Sequence, residues 1–482
     1  MINLRRLFMI ILFVGLFFLF VFILPKLLNF ISEYVDIVKA ETGGSANIYM
    51  GFILALIVPF MIYEIIMCNL QRVFGHFILI LPFTARASRL IGINAYEEPF
   101  WIQRISITTI LLFLLLIKCS PKNFALRRKE KPFKVFEVLL WSFAILSTIS
   151  QFVNHSSLHS AFWLSIGGMW QFVALFYVIS MIIHSEEDAR LILKYMVLSM
   201  LLGIIVRIST SGQIFAFISG GTDRLDGTTA FGPAVSYGGY LAFIIIICTY
   251  LIRSSKKVKI AFLWIFAMIF LFFEMINTFT RGATLALCFF VLLALWKSER
   301  RFVVKIGVLL LPVFIVFWPL IIKLLTVRPI YLNNNFFTMP GVADRLTLIR
   351  LSSPHFFDNM GFGYGIGIGY LYEGVIEGQE VVAHNLILEL ANSVGGIAAL
   401  IFAIIYCYAM YRLILLSKAE GGLIITKFLA VALASWLFFA NTTSTSILYY
   451  YPYEGTMLLY IVLFMSIALP VKKEGSLHNG FP

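Results

Sequence analysis

The chain reads as an all-α polytopic membrane protein, and three observations predict this. Hydrophobic residues make up 61% of the 482 residues and charged ones only 13%, with a mean hydropathy of +0.94. A soluble protein of that length needs far more charge to cover its surface. Apolar runs near the roughly 20 residues that cross a bilayer recur along the chain. The net charge of +13 comes largely from short loops between these runs. That placement fits membrane orientation, and no nucleic-acid partner is expected.

The expected spans are 7–28, 48–68, 73–91, 100–117, 134–153, 161–183, 191–207, 234–252, 259–279, 282–296, 303–325, 385–416, 423–440 and 455–471. That gives about 14 transmembrane helices. The first follows Arg5 and Arg6 and is too long for a signal-peptide core, so it is read as a retained span. The 73–91 run carries Arg86 and Arg89 and suits a tilted or re-entrant piece. The 191–207 run starts near Lys194 and ends at Arg207.

Charge orients the chain. Basic residues crowd the loops Lys118–Lys134, Arg253–Lys259 and Lys297–Lys305, and Lys472–Lys473 follows the last span. With these loops inside, the positive-inside bias places both termini in the cytoplasm. Arg86, Arg89 and Arg104 fit this poorly, and the expected internal loop 184–190, HSEEDAR, is acidic. The opposite, outer face then collects 209–233, the 280–283 turn, 326–383 and 441–455. The 326–383 loop is far longer than an ordinary connection, which marks it as functional or disordered. Within it, Val342, Leu346 and Ile349 recur at helical spacing around Asp344, Arg345 and Arg350. This predicts a short amphipathic helix on the membrane surface. The alternating Gly361, Gly363, Gly365, Gly367 and Gly369 never fit a dinucleotide-loop register. They suit a tight turn or close backbone approach to a ligand.

The 383–396 stretch, AHNLILELANSVGG, follows this loop and opens an apolar run. Asn385 is expected to cap the helix. The helix dipole disfavours imidazolium and attracts anions, so His384 is a neutral base beside an anion cradle. The alternative is a histidine resting at the interface. Glu389, five residues on, points away from His384 on an ideal helix and is given a structural role first. Glu274, Asn277, Thr278 and Arg281 fall at helical spacing and predict one polar face of a single helix. Arg281 there either binds a diphosphate, with Glu274 fixing its geometry, or forms a structural pair with that glutamate. The Tyr449–Tyr451 cluster could stack on sugars or join an interfacial aromatic belt. No Asp-x-Asp, P-loop or metal-ligand spacing occurs in the sequence. The five cysteines are scattered.

His384-Asn385 with Gly395-Gly396, Thr280-Arg281-Gly282-Ala283 and Arg224-Leu225-Asp226-Gly227-Thr228 together resemble the signature of the O-antigen ligase and O-antigen polymerase family. The resemblance covers roughly residues 200–440. It implies a GT-C-like membrane glycosyltransferase with one long extracytoplasmic loop. N-terminal spans would occupy 1–200, a catalytic core 201–440, and the last outer loop, final span and cytoplasmic tail 441–482. The implied activity is metal-independent and inverting, without a cofactor, at the outer face of the bacterial inner membrane. It moves glycan from an undecaprenyl-diphosphate carrier to a sugar hydroxyl of a glycan or glycolipid acceptor. By resemblance His384 is the catalytic base, and Arg281 and Arg224 bind diphosphate. Arg345 is a third candidate ligand, and Asn385 and Glu274 support the site. Arg224 could otherwise be a solvated loop charge, and Arg345 and Arg350 could contact lipid headgroups. A chain-length regulator or flippase would be a partner in that setting. Ligase and polymerase differ in acceptor, with a slight lean to polymerase from the unaligned N-terminal extension. The rivals are a transporter or lipid flippase, which predicts internal repeats and midplane charges, and a glycosyltransferase of the shape-and-division type.

Overall fold

A computed structural model describes residues 59–83, 107–119, 130–154, 161–162, 165–211, 234–278, 280–296, 304, 360–365, 375–376, 379–380, 385–418, 423–443 and 454–470. These residues are helical apart from turns and a two-stranded antiparallel hairpin, β1 (Val375–Ile376) with β2 (Gln379–Glu380). After the helical residues 59–67 the helices are α1 (Leu70–Ile80), α2 (Ile107–Lys118), α3 (Lys131–Asn154), α4 (Gln171–Ile182), α5 (Glu186–Ser211) and α6 (Ala234–Ser254). They continue as α7 (Val258–Asn277), α8 (Arg281–Trp296), α9 (Leu386–Val394), α10 (Gly396–Lys418), α11 (Ile424–Thr443) and α12 (Glu454–Ala468). Five of them contain stretches long and apolar enough to cross a membrane: Lys131–Asn154, Glu186–Ile208, Ser236–Ser254, Val258–Asn277 and Gly396–Lys418.

Burial separates a central helix from peripheral ones. The apolar window of α6 is 94% buried, against 39% for α7. α6 packs on α5, α7, α8 and α11, so its Ile244–Ile247 run is enclosed on all sides. α7 instead exposes Phe262, Leu263 and Phe266, the last at 72%. Such a stripe is unfavourable in water and natural in lipid, which makes it the outer wall of a polytopic membrane protein.

Two sequence expectations are corrected at helix ends. The acidic stretch 184–190 is not a free loop. Ser185 and Asp188 form a capping box at the start of α5: the Asp188 N–H donates to Ser185 Oγ (3.1 Å), and Ser185 Oγ and the His184 N–H donate to Asp188 Oδ2 (2.9 and 3.0 Å). Glu186, Glu187 and Asp188 fill the first turn, where the helix dipole favours negative charge. The acidity therefore reports a helix start, and the span expected at 191–207 belongs to a 26-residue helix. The second correction concerns 385–416, expected as one span. It is divided at Gly395, whose φ of +97° ends α9 before α10 begins. A π-helical turn, Ile166–Trp170, leads into α4 within the 161–183 span. The 7–28 and 303–325 spans lie outside the described residues, apart from the isolated helical residue 304.

Cross-helix bonds sort the helix ends into two poles. At the first, Tyr240 Oη meets Thr456 Oγ1 (2.8 Å) and Ser150 Oγ donates to the Ser393 carbonyl (3.2 Å). At the opposite pole, Gln71 Nε2 donates to Asp188 Oδ1 (2.7 Å). There too Arg412 donates to the carbonyls of Ser466, Ile467 and Leu469 (3.0–3.3 Å), satisfying the orphan acceptors that end α12.

Candidate functional site

The first pole gathers the elements that flank the sequence-marked residues. Asn385 has extended backbone angles, φ −138° and ψ 118°. Its side-chain Oδ1 accepts from the Ile387 and Leu388 N–H groups (3.1 and 3.2 Å). The helix start expected at this asparagine is therefore present, with the amide spent on the cap. α9 packs on α3, α10 and α11, and buries Glu389 and Asn392 along it. Among the described residues the Asn392 side-chain nitrogen and oxygen find no hydrogen-bond partner.

Residues 360–365 lie as a strap across the junction of α9 and α10. The N–H groups of Tyr364 and Gly365 donate to the carbonyls of Asn392 (2.7 Å) and Ser393 (2.9 Å), and the Ile397 N–H donates to Met360 O (3.2 Å). Ser150 Oγ and Asn154 Nδ2, at the end of α3, bond the Phe362 carbonyl. A Cβ on Gly363 (φ +62°) would come within 2.6 Å of Asn392 O, and one on Gly395 within 2.4 Å of Gly361 O. The alternating glycines were expected to permit a close backbone approach, and for Gly363 the partner is the chain's own helix. Glycine is required here by both space and φ.

A second cluster joins α5, α6 and α7. Arg207 grips the Glu274 carboxylate with its fork: Nε bonds Oε1, and Nη2 bonds Oε2 at 2.9 Å. Tyr237 Oη donates to Oε1 (3.1 Å) and Asn277 Nδ2 approaches Oε2 at 3.4 Å. The side chains of the pair are 3% and 4% exposed. A buried charge pair needs such full satisfaction, because each ion has lost its water. Beside it the turn after α7 is pressed onto α6. A Cβ on Gly238 would lie 2.7 Å from Thr278 Oγ1 and 2.8 Å from Thr280 Cβ. Thr278 Oγ1 also donates to Met275 O (2.7 Å) and lies 3.0 Å from Thr280 Oγ1.

These contacts correct the expected single-helix stripe. α7 ends at Asn277, Thr278 is its C-cap, and Arg281 opens a different helix, α8. Glu274 is engaged by Arg207, which the sequence reading treated only as the end of a span. An arginine within an apolar run was the available signal, since such a charge must find a partner or a function. Its partner, 67 residues away, left no local trace. Glu274 and the backbone of Arg281 are thus at one pole, and α11 packs against both α8 and α9. His384, Arg224, Arg345 and Arg350 lie outside the described residues, as does the side chain of Arg281. Among the described residues no group of three or more His, Cys, Asp or Glu is placed to hold a metal ion.

No known protein-family model matches the chain, and a search of curated proteins finds no match.

Proposed function

We propose that the protein is a metal-independent, inverting membrane glycosyltransferase. It transfers or polymerises oligosaccharide from an undecaprenyl-diphosphate carrier onto a sugar hydroxyl at the outer face of the bacterial cytoplasmic membrane. The observation that carries this reading is the capped start of α9 at Asn385. In this reading the residue that follows His384 in sequence lies at the same pole as the start of α8 at Arg281. Helix N-termini carry positive dipole ends, which suit a diphosphate; at α9 the Ile387 and Leu388 N–H groups are already held by Asn385 Oδ1. In this reading guanidinium groups of Arg281, Arg224 and Arg345 hold the diphosphate and stabilise its departing charge. His384 takes the proton of the acceptor hydroxyl as that oxygen attacks the anomeric carbon. Attack opposite the leaving diphosphate inverts that centre.

The orientation has its own support. Among the described residues, Arg72, Lys118, Lys131, Lys134, Arg190, Arg253, Lys256, Lys257, Lys259, Arg412, Lys418 and Lys427 belong to the opposite pole, while the first has Arg207 and Arg281. That asymmetry suits a cytoplasmic face opposite the site. The transporter reading is less favoured, because Glu274 lies three residues from the end of its helix rather than at mid-membrane.

The test is purified protein given a lipid-diphosphate-linked oligosaccharide as the only sugar substrate, with products sized on a gel. A ladder of lengthened products identifies a polymerase. Transfer that begins only when a lipid A-core acceptor is added identifies a ligase. No transfer in either case removes the reading, and undiminished transfer by His384→Ala removes the base assignment.

A further inference from the structure

We propose that the elbow between α6 and α7 binds an anionic phospholipid. Lys256, Lys257 and Lys259 hold its phosphodiester headgroup, and the outer face of α7 receives its acyl chains. The proposal does not rest on the catalytic reading. Residues 256–260 are all exposed, and both helices fix the backbone around them. The Ser255 N–H donates to the Ile252 carbonyl (3.3 Å) and Ser255 Oγ to that of Leu251 (2.6 Å), closing α6. The Ile260 and Ala261 N–H groups donate to the Lys257 carbonyl (3.0 and 3.1 Å), opening α7. The lysines therefore stand on a turn tied into both helices.

Charge and apolar surface meet here on one helix face. Lys259, Phe262, Leu263 and Phe266 fall at i, i+3, i+4 and i+7 of α7. The three apolar residues are 60%, 68% and 72% exposed. At 1.5 Å per residue the stripe runs about 10 Å from the lysine, long enough to lie along the first part of an acyl chain. Other cations at this pole are engaged by the protein itself. Arg72 and Arg190 lie against Glu64 and Glu186, and Lys118 and Arg412 donate to backbone carbonyls. Among the described residues no ion pair engages Lys256, Lys257 or Lys259, and the first turn of α7 holds no acidic residue. Three like charges within four residues repel one another, and an anion from outside the chain offsets that. The positive-inside bias asks only for cations in the loop. It does not ask that they crown a lipid-facing stripe. A soluble phosphate would leave the stripe unused, whereas a phospholipid complements the charge and covers the apolar face together.

The experiment is native mass spectrometry of the full chain released from detergent micelles. The protein is titrated with phosphatidylglycerol or with phosphatidylcholine of the same acyl chains. Expected is retention of one phosphatidylglycerol at a concentration about tenfold or more below that needed for phosphatidylcholine. The variant Lys256→Gln/Lys257→Gln/Lys259→Gln should lose this preference and melt as the unaltered protein does in lipid-free detergent. Lys131→Gln/Lys134→Gln, which removes two exposed lysines at the same pole, should keep it. Equal retention of the two lipids by the unaltered protein overturns the proposal, and so does a preference that survives the triple variant. An equal loss in the Lys131→Gln/Lys134→Gln variant also overturns it, because the effect would then belong to the whole pole. Phe262→Ala/Phe266→Ala should weaken phosphatidylglycerol retention as well. Undiminished retention there, or displacement of the lipid by glycerol phosphate at equal concentration, overturns the lipid assignment in favour of a soluble phosphate. Should the triple variant fail to fold, Lys259→Gln decides: a lowered preference supports the site, and an unchanged one overturns it.

Discussion

Glu274 at the first pole and Glu64 at the opposite pole are both buried carboxylates with cationic partners, and the partners differ. Glu274 is held by an arginine 3% exposed, with Tyr237 and Asn277 completing its shell. Glu64 has a side chain 3% exposed, but its arginine, Arg72, is 61% exposed and 3.6 Å away. Its other partner is His76 Nδ1, on a side chain 23% exposed. Cys68 Sγ lies 3.8 Å from Oε1, and Lys118 nearby donates to the carbonyls of Ile65 and Cys68 instead. The first pair is closed and its geometry fixed; the second is open to solvent on the cationic side. The same residue types thus build a rigid joint at one pole and a salt-sensitive rim at the other.

Substitutions can break this contrast, and the largest effect is expected at the closed pair. Arg207→Ala should cost about 3–5 kcal/mol, because Glu274 would stay buried without its counter-charge. Thermal unfolding of the purified protein in detergent measures it, and a loss as small as that at the open pair would erase the distinction. The strap comes next. Gly363→Ala forces a side chain into left-handed backbone and against Asn392 O, and about 1–3 kcal/mol of strain is expected before the clash is counted. The caps come third and should not distinguish the poles. Asn385→Ala and Ser185→Ala should each cost about 1 kcal/mol, read as earlier hydrogen exchange in the first turns of α9 and α5. Unequal losses would show that one cap carries a further load. The smallest effect is expected at the rim. Arg72→Ala should cost about 0–1 kcal/mol and fade with added salt. A salt-independent loss there would mean that the Glu64 pair is closed in the membrane.

Much of the helical frame was legible because the spans are long and apolar. α3, α6, α7 and α11 fall within a few residues of their expected bounds, since hydropathy reports which residues can face lipid or a packed core. It does not report a break between two equally apolar segments, which is why Gly395 divided an expected single span. Nor does it distinguish an acidic loop from an acidic helix start; the Ser185–Asp188 spacing carried that information. At the candidate site, the cap at Asn385 was legible from one side chain and its position after a loop. The Glu274 partner was not, because pairing across α5 and α7 follows from how helices pack. Helical spacing alone placed Arg281 on α7, and a three-residue turn moved it to the next helix.

The strap across α9 also bears on how the protein is made. Ser150 waits for the Phe362 carbonyl, 212 residues downstream, and for that of Ser393, 243 downstream. During synthesis α3 leaves the ribosome long before either partner exists. At its polar end Ser150 and Asn154, which both bond the Phe362 carbonyl, must stay hydrated or borrow temporary partners until then. Closure of the first pole is therefore a late event in biogenesis, and a nascent chain halted before residue 360 would leave the last turn of α3 accessible to a water-soluble label placed at Asn154.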